Sequence, residues 1–172
     1  MENPAIKVRR QINYWRPVLQ KTVTYREVEL NEAVKIRRRQ ISVKHYYWVP
    51  LTADLADTEA YLLPLDDPDC NTRRDWQNYR ERYQILSGAA VKKSRTTYGL
   101  SGREMAAIIG ISHSSLSEIE NELVLQSDEQ DSLLRLAQNR LAFAALVRVR
   151  RASLTEAFDE TRYRAILAKV QV

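Results

Sequence analysis

Residues 98–121 read YGLSGREMAAIIGISHSSLSEIEN, and this stretch predicts two short helices joined by a tight turn. Residues 101–104 have the form S-x-x-E, in which the serine and glutamate side chains satisfy each other's backbone partners at the start of a helix. Gly110 follows the first apolar run, where glycine adopts a left-handed backbone most easily. We expect the apolar positions on one side of this unit to be buried: Leu100, Met105, Ala106, Ile109, Ile111, Leu116 and Ile119.

The other side of the second helix is polar. In a helix-turn-helix that binds DNA, this side enters the major groove and its first residues contact base edges. The candidate base contacts are His113, Ser114, Ser115, Ser117 and Asn121. Basic residues on the preceding helix are candidate phosphate contacts: Lys92, Lys93 and Arg95.

The pattern LSxxEMA…IGISxSSLSxIEN in residues 100–121 resembles the helix-turn-helix of the Xre/phage-repressor (Cro/CI) type, and the predicted unit spans residues 87–123. A longer stretch, residues 78–101, is similar to the segment that joins the two halves of MqsA/YgiT-type antitoxins. In that family a small zinc-binding β domain precedes an Xre-type DNA-binding domain. The resemblance implies a transcriptional regulator that binds palindromic double-stranded operator DNA as a homodimer, with a toxin or another protein as a further partner.

The zinc site that this family carries is not expected here. The Cys-x-x-Cys pairs are absent, and Cys70 is the single cysteine of the chain. A tetrahedral zinc site needs four ligands, or three and a water molecule, so His45 cannot build one alone. We interpret His45 as a surface or hydrogen-bonded core residue and predict that residues 46–48, Tyr-Tyr-Trp, fill the space with apolar side chains. No metal or other cofactor is predicted.

The helix-turn-helix also departs from its pattern. Gly102 stands where Xre sequences usually carry Gln, Glu118 where they often carry Arg, and Glu122 where Gly follows Glu-Asn. Residues 101–131 contain one basic and seven acidic residues, whereas residues 1–50 contain 11 basic and four acidic ones. Because phosphate contacts depend on Lys and Arg, the alternative is a protein-binding module whose helix-turn-helix serves packing or dimerisation.

The rest of the chain predicts an α+β protein. Residues 21–49 are rich in Val, Thr and Tyr and predict an antiparallel sheet of two to four strands, with a turn at residues 31–32. We expect a β-rich domain over 1–50, an irregular connector over 51–72 with a short helix at 53–62, and a helical domain over 73–172. The basic run 37–39 is interpreted as a solvated strand end or a phosphate contact.

Two further apolar patterns are interpreted as packing surfaces. Trp76, Tyr79 and Tyr83 fall on one face of a helix predicted over 72–84 and are expected in a core. Residues 154–170 predict one amphipathic helix, which is the candidate dimer or partner helix. Its stripe is equally consistent with intramolecular packing: Leu154, Phe158, Ile166 and Val170.

The sequence argues against a membrane-spanning protein, a secreted protein and an enzyme. No apolar run approaches the roughly 20 residues that cross a bilayer, and residues 1–15 lack a signal-peptide pattern. We therefore expect a cytoplasmic protein. Two histidines, one cysteine and the lack of a glycine-rich phosphate loop argue against an enzyme.

Overall fold

The structure, a computed structural model, describes residues 6–171. It has a three-stranded antiparallel sheet followed by eight α-helices in that range, which confirms the α+β class. Contacts divide the chain into residues 1–82 and residues 83–172, and each unit is described by itself. Residues 1–5 of the expected β domain lie outside the described range.

The sheet has the order β1-β2-β3, with β1 at Lys7–Arg16, β2 at Lys21–Ile36 and β3 at Arg39–Pro50. The predicted turn at residues 31–32 is wrong, because β2 continues through it and Asn31 pairs with Lys44. More and less buried side chains alternate along β2 from Val28 to Ile36, although Glu32 and Ala33 interrupt the alternation of apolar and polar residues. The turn lies at Arg37, where the backbone is left-handed with φ 54°.

Strand β1 was missing from the prediction, because its 10 residues include four cations and few regularly spaced apolar side chains. A 3₁₀ turn at Pro17–Leu19 links it to β2. The basic run 37–39 lies at the β2–β3 turn, and the Arg37 guanidinium sits over the ring of Tyr79, 5.6 Å from its centroid.

The outer edge of β3 is covered by residues that were expected to be a connector. Leu62 exchanges two backbone hydrogen bonds of 2.8 and 3.0 Å with Trp48. The Asn71 amide accepts from the Tyr46 N–H and donates to the Tyr46 carbonyl, both at 2.9 Å. The expected helix at 53–62 is only a 3₁₀ turn at Thr58–Ala60. Residues 51–72 therefore pack on the sheet instead of linking two domains.

Helix α1, Cys70–Tyr83, falls almost entirely in the first unit, so the expected start of the helical domain at residue 73 is wrong. Tyr79 is fully buried, whereas Trp76 and Tyr83 are half-buried. His45 is a buried, hydrogen-bonded residue as interpreted: Nδ1 lies 2.6 Å from Glu32 and Nε2 lies 2.7 Å from Asp75 of α1. Trp48 is buried beside the rings of Tyr14 and Tyr25.

The second unit is helical. Its helices are α2 (Gly88–Thr97), α3 (Gly102–Ile109), α4 (His113–Glu120), α5 (Asp128–Leu136), α6 (Arg140–Val149), α7 (Arg151–Ala157) and α8 (Glu160–Val170). Ser87, Ser101, Ser112 and Ser127 cap α2 to α5 through their side-chain hydroxyls. The core is built from all seven helices and includes Val91, Met105, Ile109, Leu116, Ile119, Leu134, Phe143, Val147, Leu154 and Ile166.

The candidate dimer helix is corrected by the structure. Residues 154–170 form parts of two helices, because Asp159 caps a new helix through the Arg162 N–H at 2.6 Å. Leu154, Ile166 and Val170 are fully buried in the core, and Phe158 packs against it. The stripe is thus used inside the unit. Within residues 6–171, no helix has the length and apolar character needed to span a membrane.

Candidate nucleic-acid interface

Helices α3 and α4 form the predicted pair of helices joined by a tight turn. The Ser101 hydroxyl accepts from the Glu104 N–H at 3.2 Å, and the Glu104 carboxylate accepts from the Ser101 N–H at 2.6 Å. Helix α3 ends at Gly110, whose φ of 83° suits glycine. Helix α4 begins where the Ser112 hydroxyl accepts from the Ser115 N–H at 3.0 Å. Both ends of the turn are therefore fixed by local hydrogen bonds.

Helix α4 has one buried and one exposed side. Leu116 and Ile119 are buried in the core. Four of the five predicted base contacts lie exposed on the opposite side: His113, Ser114, Ser117 and Asn121. Glu118, which was not predicted as a contact, is exposed on the same side. Ser115 is half-buried, and its hydroxyl lies 2.8 Å from that of Ser112.

The His113 ring lies against Gly102 at the start of α3. A Cβ atom at position 102 would be 2.8 Å from His113 Nε2, closer than carbon and nitrogen normally approach. Gly102 therefore leaves the space that the imidazole occupies. A larger residue such as Gln at position 102 would displace the His113 ring, so Gly102 and the observed position of His113 depend on each other.

A cavity of about 240 Å³ brings several of the predicted site residues together. Lys92 of α2 reaches it from one side, and α4 supplies the other. The predicted site residues that line it are Lys92, Arg95, His113, Ser117 and Asn121. Lys93 instead lines a different cavity of about 400 Å³, beside Tyr98 and Ala137. The two adjacent lysines thus face different surroundings.

Arg95 is not placed as a phosphate contact. Its Nε and Nη2 donate to the two oxygens of Glu120 at 2.7 and 2.8 Å, and Nη1 donates to the Leu100 carbonyl at 3.1 Å. The hydrogen bond to Glu120 is the main cause that raises the pKa of Arg95 above its ordinary value. Because its bidentate pair with Glu120 neutralises its charge within the unit, Arg95 ties α2 to α4.

Two of the three glutamates within residues 118–122 are used internally. Glu120 pairs with Arg95. Glu122 accepts from the Gly88 N–H at 2.8 Å and has a left-handed backbone with φ 58°, the conformation for which glycine is preferred at this position. The Glu118 carboxylate has no hydrogen bond or ion pair with any residue from 6 to 171.

Gly88 is a residue whose role the sequence did not reveal. A Cβ atom there would be 2.5 Å from the Glu120 carbonyl oxygen, so the start of α2 touches the end of α4 directly. Arg103, the exposed second residue of α3, was also not considered as a candidate cation. A single exposed Arg carries no spacing signal, so only the fold identifies its position.

Helix α8 holds α3 through ion pairs to a buried carboxylate. The Glu104 carboxylate is buried and lies 2.9 Å from Arg162 and 3.3 Å from Lys169. Burial opposes its ionisation, but hydrogen bonds from the Ser101 backbone and hydroxyl and from Lys169 outweigh burial and hold the pKa of Glu104 below its ordinary value. The sequence places these residues about 60 positions apart and gave no sign of this contact.

The basic strands of the first unit are partly neutralised. Arg10 donates to Glu27 in a bidentate pair at 3.1 Å, and Arg9 and Lys44 both pair with Glu29. The larger cavity there, about 450 Å³, is lined by both arginines and carboxylates. Its mixed charge gives it no preference for a polyanion, and the exposed side of α4 remains the better candidate site.

Comparison of the chain with protein-family models, curated proteins and solved structures gives no match.

Proposed function

We propose that this chain is a cytoplasmic, sequence-specific DNA-binding regulator of transcription, in which α4 enters the major groove of double-stranded DNA. The observation that carries the proposal is the exposed polar side of α4 next to Lys92. Ser114, Ser117 and Asn121 supply hydrogen-bonding groups there, and none of them is needed for the core. In this proposal the protein binds and has no catalytic role.

The few cations near the exposed side of α4 predict that the protein contacts only a few phosphates. Lys92 lines the cavity beside Ser117 and Asn121, and Arg103 lies exposed at the start of α3. Arg95 is excluded by its pair with Glu120. Because each phosphate contact adds to the salt dependence of binding, two such cations per subunit predict a shallow dependence.

A homodimer on a palindromic operator is part of the proposal, and α6 is the surface proposed for it. Leu141 and Val149 are 82% and 81% exposed, and Ala145 lies exposed between them on the same helical face. An exposed apolar stripe of this kind suits contact with a second copy. Leu141→Asp should shift the dimer toward monomer in sedimentation equilibrium and leave the folded monomer intact. An unchanged mass would remove α6 from the proposal.

The resemblance to antitoxins adds a second proposed partner, a toxin or other protein. The first unit is the proposed binding region, because α4 and its surroundings are assigned to DNA. One protein can bind both DNA and a protein partner, since the two proposed surfaces are different.

The test is a salt series of gel shifts with DNA from upstream of the protein's own coding region. Lys92→Glu should weaken binding and lower the salt slope by about one. Lys93→Glu is the matched control, since it makes the same charge change on a side chain that faces another cavity. Equal effects of the two variants, or a wild type that binds no more tightly to this DNA than to unrelated DNA, would contradict the proposal.

A protein-binding module is the second candidate. The close contact of Gly88 with the end of α4 and the Arg95–Glu120 pair favour a unit selected for tight packing. On that alternative, the Lys92 and Lys93 variants are both without effect and a protein partner still binds.

A further inference from the structure

We propose that Glu118 selects a cytosine in each operator half-site by accepting a hydrogen bond from the N4 amino group of that base. This inference rests on the proposed DNA binding and extends it to the identity of one base. It concerns the residue of α4 that departs most in charge from the pattern the chain resembles.

Glu118 lies at the middle of the exposed side of α4. Ser114 is one turn before it and Asn121 is about one turn after it, so the three side chains share one face. All three are exposed, and the buried Leu116 and Ile119 lie on the other side. A helix that places Ser114 and Asn121 in the groove also places Glu118 there.

Among residues 6–171, no Lys or Arg forms an ion pair with Glu118. Helix α4 contains no Lys or Arg, and the nearby Arg95 gives both outer nitrogens and Nε to other acceptors. By contrast, Glu120 and Glu122 have partners within the unit. Glu118 is therefore the glutamate of this segment whose acceptor oxygens remain open for a ligand.

The chemistry of the groove restricts what such a group can bind. An ionised carboxylate only accepts hydrogen bonds, and the phosphates on either side of the groove repel it. In the major groove the amino donors are cytosine N4 and adenine N6. Adenine also presents the acceptor N7 beside N6, which suits Asn or Gln, whereas a carboxylate accepting from cytosine N4 is the matching pair.

The experiment selects duplexes from a randomised pool with the full chain and with Glu118→Gln. At one position of each half-site, the wild type should prefer cytosine about tenfold or more. Glu118→Gln should lose that preference and gain adenine, since Gln can bond to N6 and N7 together. Preferences at the remaining positions should not change.

Glu156→Gln is the matched control, because Glu156 is an exposed glutamate of α7 and the substitution removes the same charge. Glu156→Gln should raise affinity for all sequences slightly and leave the base preference unchanged, whereas Glu118→Gln should change the base preference. A second measurement exchanges the selected cytosine for thymine, which presents an acceptor in place of the N4 donor. The exchange should cost the wild type about tenfold in affinity and Glu118→Gln little.

The outcomes separate the two proposals. A wild type that selects an operator, together with a Glu118→Gln variant that selects the same bases, would overturn the role of Glu118 and leave DNA binding standing. A wild type without selectivity for any duplex would overturn both.

Discussion

Helices α3 and α4 have the same length and the same serine cap, yet they serve different purposes. Each has eight residues and follows a serine whose hydroxyl accepts a backbone N–H. Helix α3 buries five residues, including the charged Glu104, and α4 buries only Leu116 and Ile119. Helix α3 is thus the fixed support, and α4 is the helix that presents side chains. The predictions below test this division, beginning with the largest effect.

The strongest test compares apolar truncation in α3 with polar truncation in α4. Ile108 is fully buried, so Ile108→Ala should lower the free energy of unfolding by about 3 kcal/mol. Ser117 is exposed, and Ser117→Ala should change it by less than about 0.5 kcal/mol. Urea unfolding followed by circular dichroism measures both. Comparable losses would mean that α4 is as much a part of the core as α3.

The buried carboxylate of α3 can be compared with the exposed one of α4. Glu104→Gln should cost about 2 kcal/mol at neutral pH, because it weakens charge-assisted hydrogen bonds to Ser101 and Lys169. Glu118→Gln is the matched control and should cost almost nothing. A variant at Glu104 that is as stable as wild type would show that Arg162 and Lys169 do not hold α3.

The same carboxylate gives a pH dependence whose sign is fixed. Since the pKa of Glu104 is lower in the folded chain than the ordinary 4.5, its contribution is fully present above that pH. The contribution is lost as the pH falls through the lower folded value. The difference in free energy of unfolding between wild type and Glu104→Gln should therefore be constant above pH 4.5 and shrink below it. A difference that grows on acidification would contradict the assignment.

A smaller effect is expected where the two helices meet. Gly102→Gln restores the common residue of the pattern and displaces the His113 ring, which is exposed and can rotate away. The free energy of unfolding, measured by thermal unfolding, should change by less than about 1 kcal/mol. DNA affinity should fall, because the His113 side chain at the start of α4 is displaced. Combining Gly102→Gln with His113→Ala relieves the collision. If the single substitution leaves operator affinity unchanged, His113 does not contribute to binding.

The smallest effect concerns the end of α4. Glu122→Gly keeps the left-handed backbone but removes its steric strain, which is about 1 kcal/mol in a residue with a Cβ atom. It also removes the hydrogen bond to the Gly88 N–H, worth about 1 kcal/mol. The two should nearly cancel in the free energy of unfolding. Glu122→Ala keeps the strain and loses the bond, so it should be about 1 kcal/mol less stable than wild type.

The sequence predicted local features well and long-range contacts poorly. The cap at Ser101 and the turn at Gly110 depend on residues within four positions, and they are confirmed. The turn at residues 31–32 is wrong, because turn propensity at Asn31 competes with a strand pairing that only the folded sheet supplies. The placement of α1 with the sheet depends on the contacts of Asn71 and Asp75, which have no sequence signature.

In the candidate site, too, local features were predicted and long-range contacts were not. The exposed side of α4 was predicted from helical periodicity, and His113, Ser117 and Asn121 do lie beside Lys92. The role of Arg95 was predicted wrongly as a phosphate contact, because its partner Glu120 is 25 residues away and nothing in the sequence joins the two. Periodicity tells which side of a helix is outward, but it does not tell which of two charges already has a partner.

The contact between Glu104 and Lys169 has a consequence for biosynthesis. Helix α3 is translated well before α8, and its buried Glu104 and apolar side are completed by α7 and α8. A nascent chain that ends before residue 162 therefore lacks both cations that pair with this carboxylate, and one that ends before residue 169 lacks Lys169. Until α8 is synthesised, the apolar side of α3 that it covers stays exposed, and exposed apolar surface of this kind favours aggregation during synthesis.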